Sequence, residues 1–359
     1  MPPITLALTI GDLNGIGPEV ALKAIHKHVS PRNVQFLLIG PAAAWRFWAE
    51  RLQIPIQSCP VFSDGDFSVP ISEKIVILET DFFLSLTEKK ITSIPPVGGM
   101  MGKSLFAVDV GKPTMESGLV SARCVELAAG LALEKKVDAI VTAPLSKVAL
   151  RLVGVGFPGH TEMLAHLANI KTPVMLMVAG DFRVAVATTH LALKEVPKAL
   201  TIDSLVGTAQ VLFDELQERF KIAAPRIAVA GLNPHAGESG TLGKEEQKII
   251  APAIEILQKQ GYRVDGPFPA DALFSRIAAT EKYDAYLAMY HDQGLIAAKM
   301  RSGGKGVNYT CGLPFIRTSP DHGTAFDIAG KNVADATSMM EAIQLAVEIA
   351  RKNRAGKHL

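Results

Sequence analysis

The chain has 359 residues, 48% hydrophobic and 20% charged, a balance that supplies ample apolar material for a core and argues against disorder. Its formal charge of +2 comes from scattered Lys and Arg, so no footprint for nucleic acid or an anionic membrane is expected, and the partner should be a small molecule. Cys59, Cys124 and Cys311 lack CxxC spacing, which argues against a disulfide framework or a cysteine zinc module and fits a reducing cytoplasm.

The amino terminus enters the apolar run Ile4–Ile10 without a basic start or a small-residue cleavage site, so no signal peptide is expected. The longest apolar stretches are of strand length, short of the ~20 residues that span a bilayer, and a soluble protein is expected. Next comes G-D-L-N-G-I-G-P-E (Gly11–Glu19), a turn that opens a helix over Pro18–His28, with Pro18 suited to the first helical position. Its glycines permit either close approach of a ligand to backbone N–H groups or a tight structural turn; the spacing is neither the dinucleotide fingerprint nor a P-loop. A helix at Ala42–Leu52 follows. Ser93–Pro113, rich in Gly, Pro and Met, reads as irregular chain, an arm or a lid beside a cleft.

Ser117–Lys136 places Val120, Cys124, Leu127 and Leu131 on one helical face and leads to a strand at Asp138–Val141. In G-F-P-G-H-T-E (Gly156–Glu162), His160 and Thr161 stand where a helix should begin, as a phosphate site or as ordinary capping by Thr161 with Glu162 in the first turn. Further helices are expected at Leu205–Glu218, Glu245–Gln260 and Ser338–Arg354. Val/Ile/Ala-rich strands alternating with helical segments imply βαβ units and a mainly parallel sheet. The length implies two domains, or one large sheet split by a cleft. A Gly-rich stretch, Gly303–Gly312, is a candidate hinge.

Three of the nine histidines share one position relative to the strands. R-V-A-V-A-T-T-H ends at His190, R-I-A-V-A-G-L-N-P-H at His235 and Y-D-A-Y-L-A-M-Y-H at His291, each just past an apolar run that reads as a buried parallel strand. In an open α/β sheet the carboxyl strand ends form the ligand-binding edge, so the trio suggests a divalent metal. A single histidine at such a place is more often a hydrogen-bonded structural residue; Thr188, Thr189, Asp292 and Gln293 are neighbours able to fix the ring tautomers. Imidazoles suit zinc, cobalt, nickel or iron, and added carboxylate or water ligands admit manganese or magnesium. Glu238 and Asp271 offer such carboxylates, although Asp271 reads slightly better as a helix cap. Lys299, Asn308 and Arg317, if not merely surface groups, suggest an anionic substrate, with Arg able to contact carboxylate or phosphate in bidentate fashion and Lys able to move a proton.

Taken together, G-D-x-x-G-I-G-P-E, V-T-A-P-L-S-K (Val141–Lys147), G-H-T-E, A-T-T-H-L, G-L-N-P-H-A-G-E, P-A-D, M-Y-H-D-Q-G-L, G-V-N-x-T and G-L-P-F-I-R-T-S-P-D-H-G-T-A resemble the 4-hydroxythreonine-4-phosphate dehydrogenase family of pyridoxal phosphate biosynthesis, almost end to end. One departure is Leu13-Asn14, where many members have Pro-Ala; it removes no expected ligand. The resemblance implies an α/β fold of two α/β/α domains with a cleft, like isocitrate and isopropylmalate dehydrogenases. Residues 1–140 plus 293–359 would carry the cofactor loop, and residues 141–292 the metal ligands and dimer contacts. It implies a cytoplasmic homodimer with the active site at the subunit interface. His190, His235 and His291 would bind one divalent metal (Zn, Mg or Co), the neighbouring subunit being able to supply one or more of them. His160, Thr161, Lys299, Asn308 and Arg317 would contact the phosphorylated substrate, and Lys299 and Asp271 are the candidate catalytic groups. H-G-T-A-F-D-I-A-G-K (His322–Lys331) resembles an adenosine-binding loop, giving Gly323, Thr324 and Ala325 to NAD or NADP.

The expected reaction is oxidation of 4-phosphohydroxy-L-threonine at C3, followed by decarboxylation to 3-amino-2-oxopropyl phosphate. A related dehydrogenase of phosphorylated erythronate or threonate, or of a dihydrodiol carboxylate, is the nearest alternative. A metal-dependent hydrolase or a silent binding protein would be of another class.

Overall fold

The computed structural model describes residues 2–27, 33–63, 73–79, 108–275 and 283–355. Among them the strands are β1 (Ile4–Thr9), β2 (Val34–Ile39), β3 (Val61–Ser63), β4 (Ile75–Glu79), β5 (Ala139–Thr142), β6 (Val174–Ala179), β7 (Phe182–Val186), β8 (Arg226–Ala230), β9 (Arg263–Phe268), β10 (Ala285–Ala288), β11 (Val307–Cys311) and β12 (Ile316–Pro320). They alternate with helices as expected, and two compact units result.

The first unit comprises Met1–Lys171 and Leu313–Arg351. Its strands lie in the order β3-β4-β2-β1-β5-β12, all parallel. β1 is buried along its whole length, as a parallel strand covered by helices on both faces must be. The helix Met115–Leu133 begins two residues before the predicted start because Thr114 caps it, accepting from Ser117 N while Ser117 Oγ accepts from Thr114 N. Val120, Cys124 and Leu131 are buried as read, whereas Leu127 is half-buried. Asn14, at the family departure, donates to Lys112 O and Thr114 Oγ1 and accepts from Asp109 N, so it fastens the end of the segment expected to be irregular. The rest of that segment, 93–107, lies outside the described residues.

The second unit comprises Thr172–Gly312 and Lys352–Leu359. Its order is β11-β6-β7-β10-β8-β9, with β11/β6 and β6/β7 antiparallel and the remaining pairs parallel. The helix read at Glu245–Gln260 is a π-turn, Glu246–Ile250, running into the α-helix Ala251–Lys259. Pro252 accounts for the widening, since it has no N–H for an α-type bond.

These units divide the chain at points other than those read from the sequence. Residues 141–171 belong with the first because β5 pairs with β1 and β12, and because Lys147–Leu152 packs on Met115–Leu133 so closely that a Cβ on Gly118 would lie 2.1 Å from Ala149 O. Residues 293–312 belong with the second because β11 pairs with β6 and the helix His291–Ser302 packs on β6 and β7. The second half of the candidate hinge Gly303–Gly312 is taken up by β11, and the division between the units falls after Gly312. Burial pushes the Cys124 and Cys311 thiols up, so both are apolar packing groups. Among the described residues no helix is long and apolar enough to cross a membrane.

Candidate active site

In the second unit β7, β10 and β8 are adjacent and parallel, so the three histidine-bearing runs end side by side. Two cross-links join these ends. Thr188 Oγ1 donates to Met289 O at 2.8 Å, tying the His190 loop to the His291 loop. Gln293 accepts from Met289 N and donates to Gly231 O, both at 2.7 Å, tying the His291 turn to the end of β8.

His291 starts the helix His291–Ser302, and its Nδ1 faces Asp292 Oδ1 at 2.7 Å. A neutral ring donating there leaves Nε2 as a lone pair for a cation. The His190 and His291 rings are 6.0 Å apart between centroids and share a cavity of about 290 Å³ with Thr189, Leu191 and Tyr290. Two imidazoles on one ion with metal–nitrogen distances near 2.0–2.1 Å would have centroids roughly 5–6 Å apart, so this pair fits in kind and spacing.

His235 is not brought into that cavity. Among the described residues no group of three His, Cys, Asp or Glu is close enough to hold a metal. The reason is local: His235 follows β8 on a left-handed turn in which His235, Ala236, Gly237, Glu238 and Ser239 all have positive φ, from 41° to 82°. Glu246, almost fully buried, holds this turn by accepting from Leu232 N, Asn233 N and Asn233 Nδ2. Glu238 is exposed on the same turn.

Asp271 stands in the first turn of Ala270–Ser275 rather than at its cap, which corrects the capping expectation. It lines a cavity of about 590 Å³ with Asp292, Tyr290, Gln293 and Arg301. Lys299 is exposed about two turns beyond His291 on the same helix. Asn308 lies on β11, and its Oδ1 is buried without a hydrogen-bond partner among the described residues. Such an atom normally has a donor in the working molecule.

The first unit places Arg317 on β12 beside Thr142 at the end of β5. The guanidinium is 1% exposed and donates to Thr142 Oγ1 from Nε at 3.2 Å and Nη2 at 2.7 Å. Burial lowers its pKa to about 9, against the pull of Glu162, so it remains a cation at neutral pH. His160 opens the helix His160–Leu167; burial and the field of Arg317 push its pKa well below 6.5, leaving it neutral. Its Nε2 is buried with no hydrogen-bond partner among the described residues. The cap position is Gly159, with no side-chain cap bond, so Thr161 does not cap and is left beside His160 as a polar group. Sequence reasoning missed Thr142 as a partner of Arg317, although a hydroxyl at the carboxyl end of an apolar run was the available signal.

The glycine turn serves packing. A Cβ on Gly11 would lie 2.3 Å from Pro144 O, one on Gly17 2.8 Å from Ile10 O, and one on Gly15 2.8 Å from Thr324 O. Ile16 N donates to Thr324 O, so the turn cradles the loop that carries Gly323, Thr324 and Ala325. In that loop His322 Nδ1 lies 3.1 Å from Gly323 O, and its Nε2 is buried without a partner among the described residues. A Cβ on Gly323 would meet open space, and Ala325 is left-handed at φ 39°.

Parallel strand ends that gather imidazoles in one unit, and a buried cation beside a neutral histidine in the other, define an α/β enzyme of small-molecule metabolism. The chain belongs to the family of pyridoxal phosphate biosynthetic protein PdxA, whose match covers residues 69–346. It is 37% identical over 352 residues to a 4-hydroxythreonine-4-phosphate dehydrogenase of Sulfurihydrogenibium, covering 97% of this chain and 99% of the relative. It superposes on the crystal structure of 4-hydroxythreonine-4-phosphate dehydrogenase from Klebsiella pneumoniae with a TM-score of 0.78 at 36% identity, covering 97% and 99% of the two chains. A terephthalate 1,2-cis-dihydrodiol dehydrogenase from Burkholderia xenovorans aligns at 29% identity with a TM-score of 0.60, covering 96% and 98%. The family resemblance and the α/β fold read from the sequence are thus borne out.

Proposed function

We propose that this chain oxidises 4-phosphohydroxy-L-threonine at C3 to 2-amino-3-oxo-4-phosphooxybutanoate, which loses carbon dioxide to give 3-amino-2-oxopropyl phosphate. The observation that carries the reading is Arg317, a fully buried cation oriented by Thr142 beside the neutral His160, which suits a phosphate dianion better than a neutral ring or chain. His160 and Thr161 complete that anion site. Asn308, with its buried amide oxygen, accepts from a substrate hydroxyl or ammonium. Lys299 and Asp271 are the candidate groups that handle the C3 hydroxyl proton, Asp271 at the edge of its cavity.

His190, His235 and His291 would hold the divalent ion, with a neighbouring copy supplying one or more of them. When bound, zinc, magnesium or cobalt supplies Lewis-acid polarisation of the C3 oxygen. Gly323, Thr324 and Ala325 would receive NAD or NADP, whose nicotinamide supplies the hydride acceptor. A homodimer is favoured by exposed apolar groups around the histidine edge: Leu191, Leu193, Ile296 and Met300, the last 81% exposed.

The test compares 4-phosphohydroxy-L-threonine, phosphorylated erythronate and threonate, and a dihydrodiol carboxylate, each with NAD and with NADP, before and after chelator treatment. Reduced nicotinamide should appear fastest with the first substrate and disappear with chelator. Faster turnover of another substrate, or hydrolysis without nicotinamide reduction, would overturn the assignment.

A further inference from the structure

We propose that Glu19 and Lys23 are positioning residues that set the shape of the nucleotide loop and thereby the affinity for the nicotinamide cofactor. The inference rests on the reading of Gly323, Thr324 and Ala325 as cofactor-binding.

The chain from Asp321 to Ala336 links β12 to the helix Thr337–Ala355 with no helix or strand of its own. A connection of that length needs ties to hold one conformation. Asp321 N donates to Ser338 Oγ at 2.9 Å, Ile16 N to Thr324 O at 2.9 Å, and Arg51 Nε to Gly330 O at 3.0 Å. The far end is held by charge. Lys23 Nζ donates to Asn332 O at 3.1 Å and Ala334 O at 3.0 Å, while Glu19 Oε1 accepts from Ala334 N at 3.0 Å and from Lys23 Nζ at 2.7 Å.

Glu19 is completely buried and the Lys23 side chain is 15% exposed. Removing such a pair from water is expensive, and an apolar pair of similar volume would pack this helix as well or better. Among the described residues the hydrogen bonds of Glu19 Oε1 and Lys23 Nζ go to each other or to the loop backbone, while Glu19 Oε2 is buried without a partner. The helix that carries them, Gly17–Lys27, starts from the glycine turn that meets Thr324. The loop is therefore gripped at Thr324 and again at Asn332–Ala334 by one helix and its preceding turn. Neither Glu19 nor Lys23 needs to touch the nucleotide to matter. A loosened loop must be ordered at the moment of binding, which lowers affinity for whatever it grips and leaves the rest of the site untouched.

The experiment titrates NADH, by its own fluorescence, into the full-length metal-loaded protein and into Glu19→Gln, Lys23→Met and Gly323→Leu, with hydrogen exchange of 322–336 measured alongside. Loss of one charge-assisted tie should weaken NADH binding about tenfold in the first two variants. Exchange in the loop should rise, while kcat at saturating cofactor and KM for the phosphorylated substrate stay within about twofold of the parent. Gly323→Leu places a side chain on the open face of the loop and should abolish NADH binding. If Gly323→Leu loses binding while folded Glu19→Gln and Lys23→Met keep parental affinity, this inference is overturned and the loop assignment survives. If Gly323→Leu also binds normally, the loop assignment fails as well. A parallel fall in kcat and in affinity for both substrates would mean general damage and would equally overturn it. Should Glu19→Gln not fold, Lys23→Met, whose ammonium is partly in solvent, decides the question.

Discussion

Thr142→Val isolates the tie that orients Arg317. The two side chains are 0% and 1% exposed, and both guanidinium bonds to Thr142 Oγ1 lie in the buried interior of the first unit. Valine has the shape of threonine, so no cavity opens; what disappears is the acceptor. A hydrogen bond to a charged group contributes about 1.5–3 kcal/mol, and leaving buried donors on a cation unmatched sits at the upper end of that range. We expect a loss of about 2–3 kcal/mol, which for a unit of this size lowers Tm by roughly 5–10 °C. Once the fork can turn away from the anion site, KM for the phosphorylated substrate should rise about tenfold or more, because bidentate recognition depends on orientation. Thr142→Ser keeps the oxygen and should stay close to the parent in both respects. Calorimetry and steady-state kinetics with cofactor saturating provide the readings. A valine variant with parental Tm and parental KM would refute the claim that Thr142 sets Arg317.

Burial pushes the Asp12 carboxyl up to about 6 from its ordinary 3.8, against hydrogen bonds from Asn14 N and Ser117 Oγ. The folded chain therefore binds this proton more tightly than the unfolded one, and stability falls as pH rises from about 4 to 6, by about 3 kcal/mol in all. Asp12→Asn should remove that dependence, so urea midpoints of variant and parent should diverge between pH 4 and pH 7; a difference independent of pH would count against it. At the histidine edge, covering each exposed apolar side chain contributes roughly 1.5–3 kcal/mol, doubled by twofold symmetry. If the proposed homodimer joins at this edge, Ile296→Asp with Met300→Asp should halve the mass seen by light scattering, whereas an unchanged mass, or a parent that is already monomeric, would count against that contact.

Much of the fold was legible because buried parallel strands declare themselves as continuous apolar runs and amphipathic helices as a 3.6-residue period. The helix Ala42–Leu52 falls where the sequence put it, and the three histidine runs become three neighbouring parallel strands. Pairing order is another matter. Nothing in Val307–Cys311 announces an antiparallel partner in Val174–Ala179, since both are largely buried and the polar alternation of V-N-Y-T-C has no counterpart in V-M-L-M-V-A. The same indifference explains the displaced unit boundaries: Lys147–Leu152 joins the first unit through backbone contact at Gly118, which periodicity does not encode.

The site divides along a similar line. Residue types suited to chemistry were visible one by one, and His190 with His291 and Arg317 with His160 do come together. The bonds that position them were not visible, because Thr188 to Met289, Gln293 to Gly231 and Thr142 to Arg317 join side chains to groups far away in sequence. The glycine turn admitted two readings in the sequence, a ligand approach or a tight structural turn, and the carbonyls packed against Gly11, Gly15 and Gly17 favour the second.

His235 carries the hardest lesson. Four of the five left-handed residues from His235 to Ser239 have side chains, and each such conformation costs roughly 1–2 kcal/mol relative to the right-handed form. Nothing in N-P-H-A-G-E-S announces that geometry, since only Gly237 favours it. The turn persists because the Glu246 carboxylate collects the N–H groups of Leu232 and Asn233 and the Asn233 amide, several charge-assisted bonds against several strained residues. The buried carboxylate thus holds His235 on a turn of its own, apart from the His190–His291 pair among the described residues, and that separation is set by backbone conformation, which residue types alone do not encode.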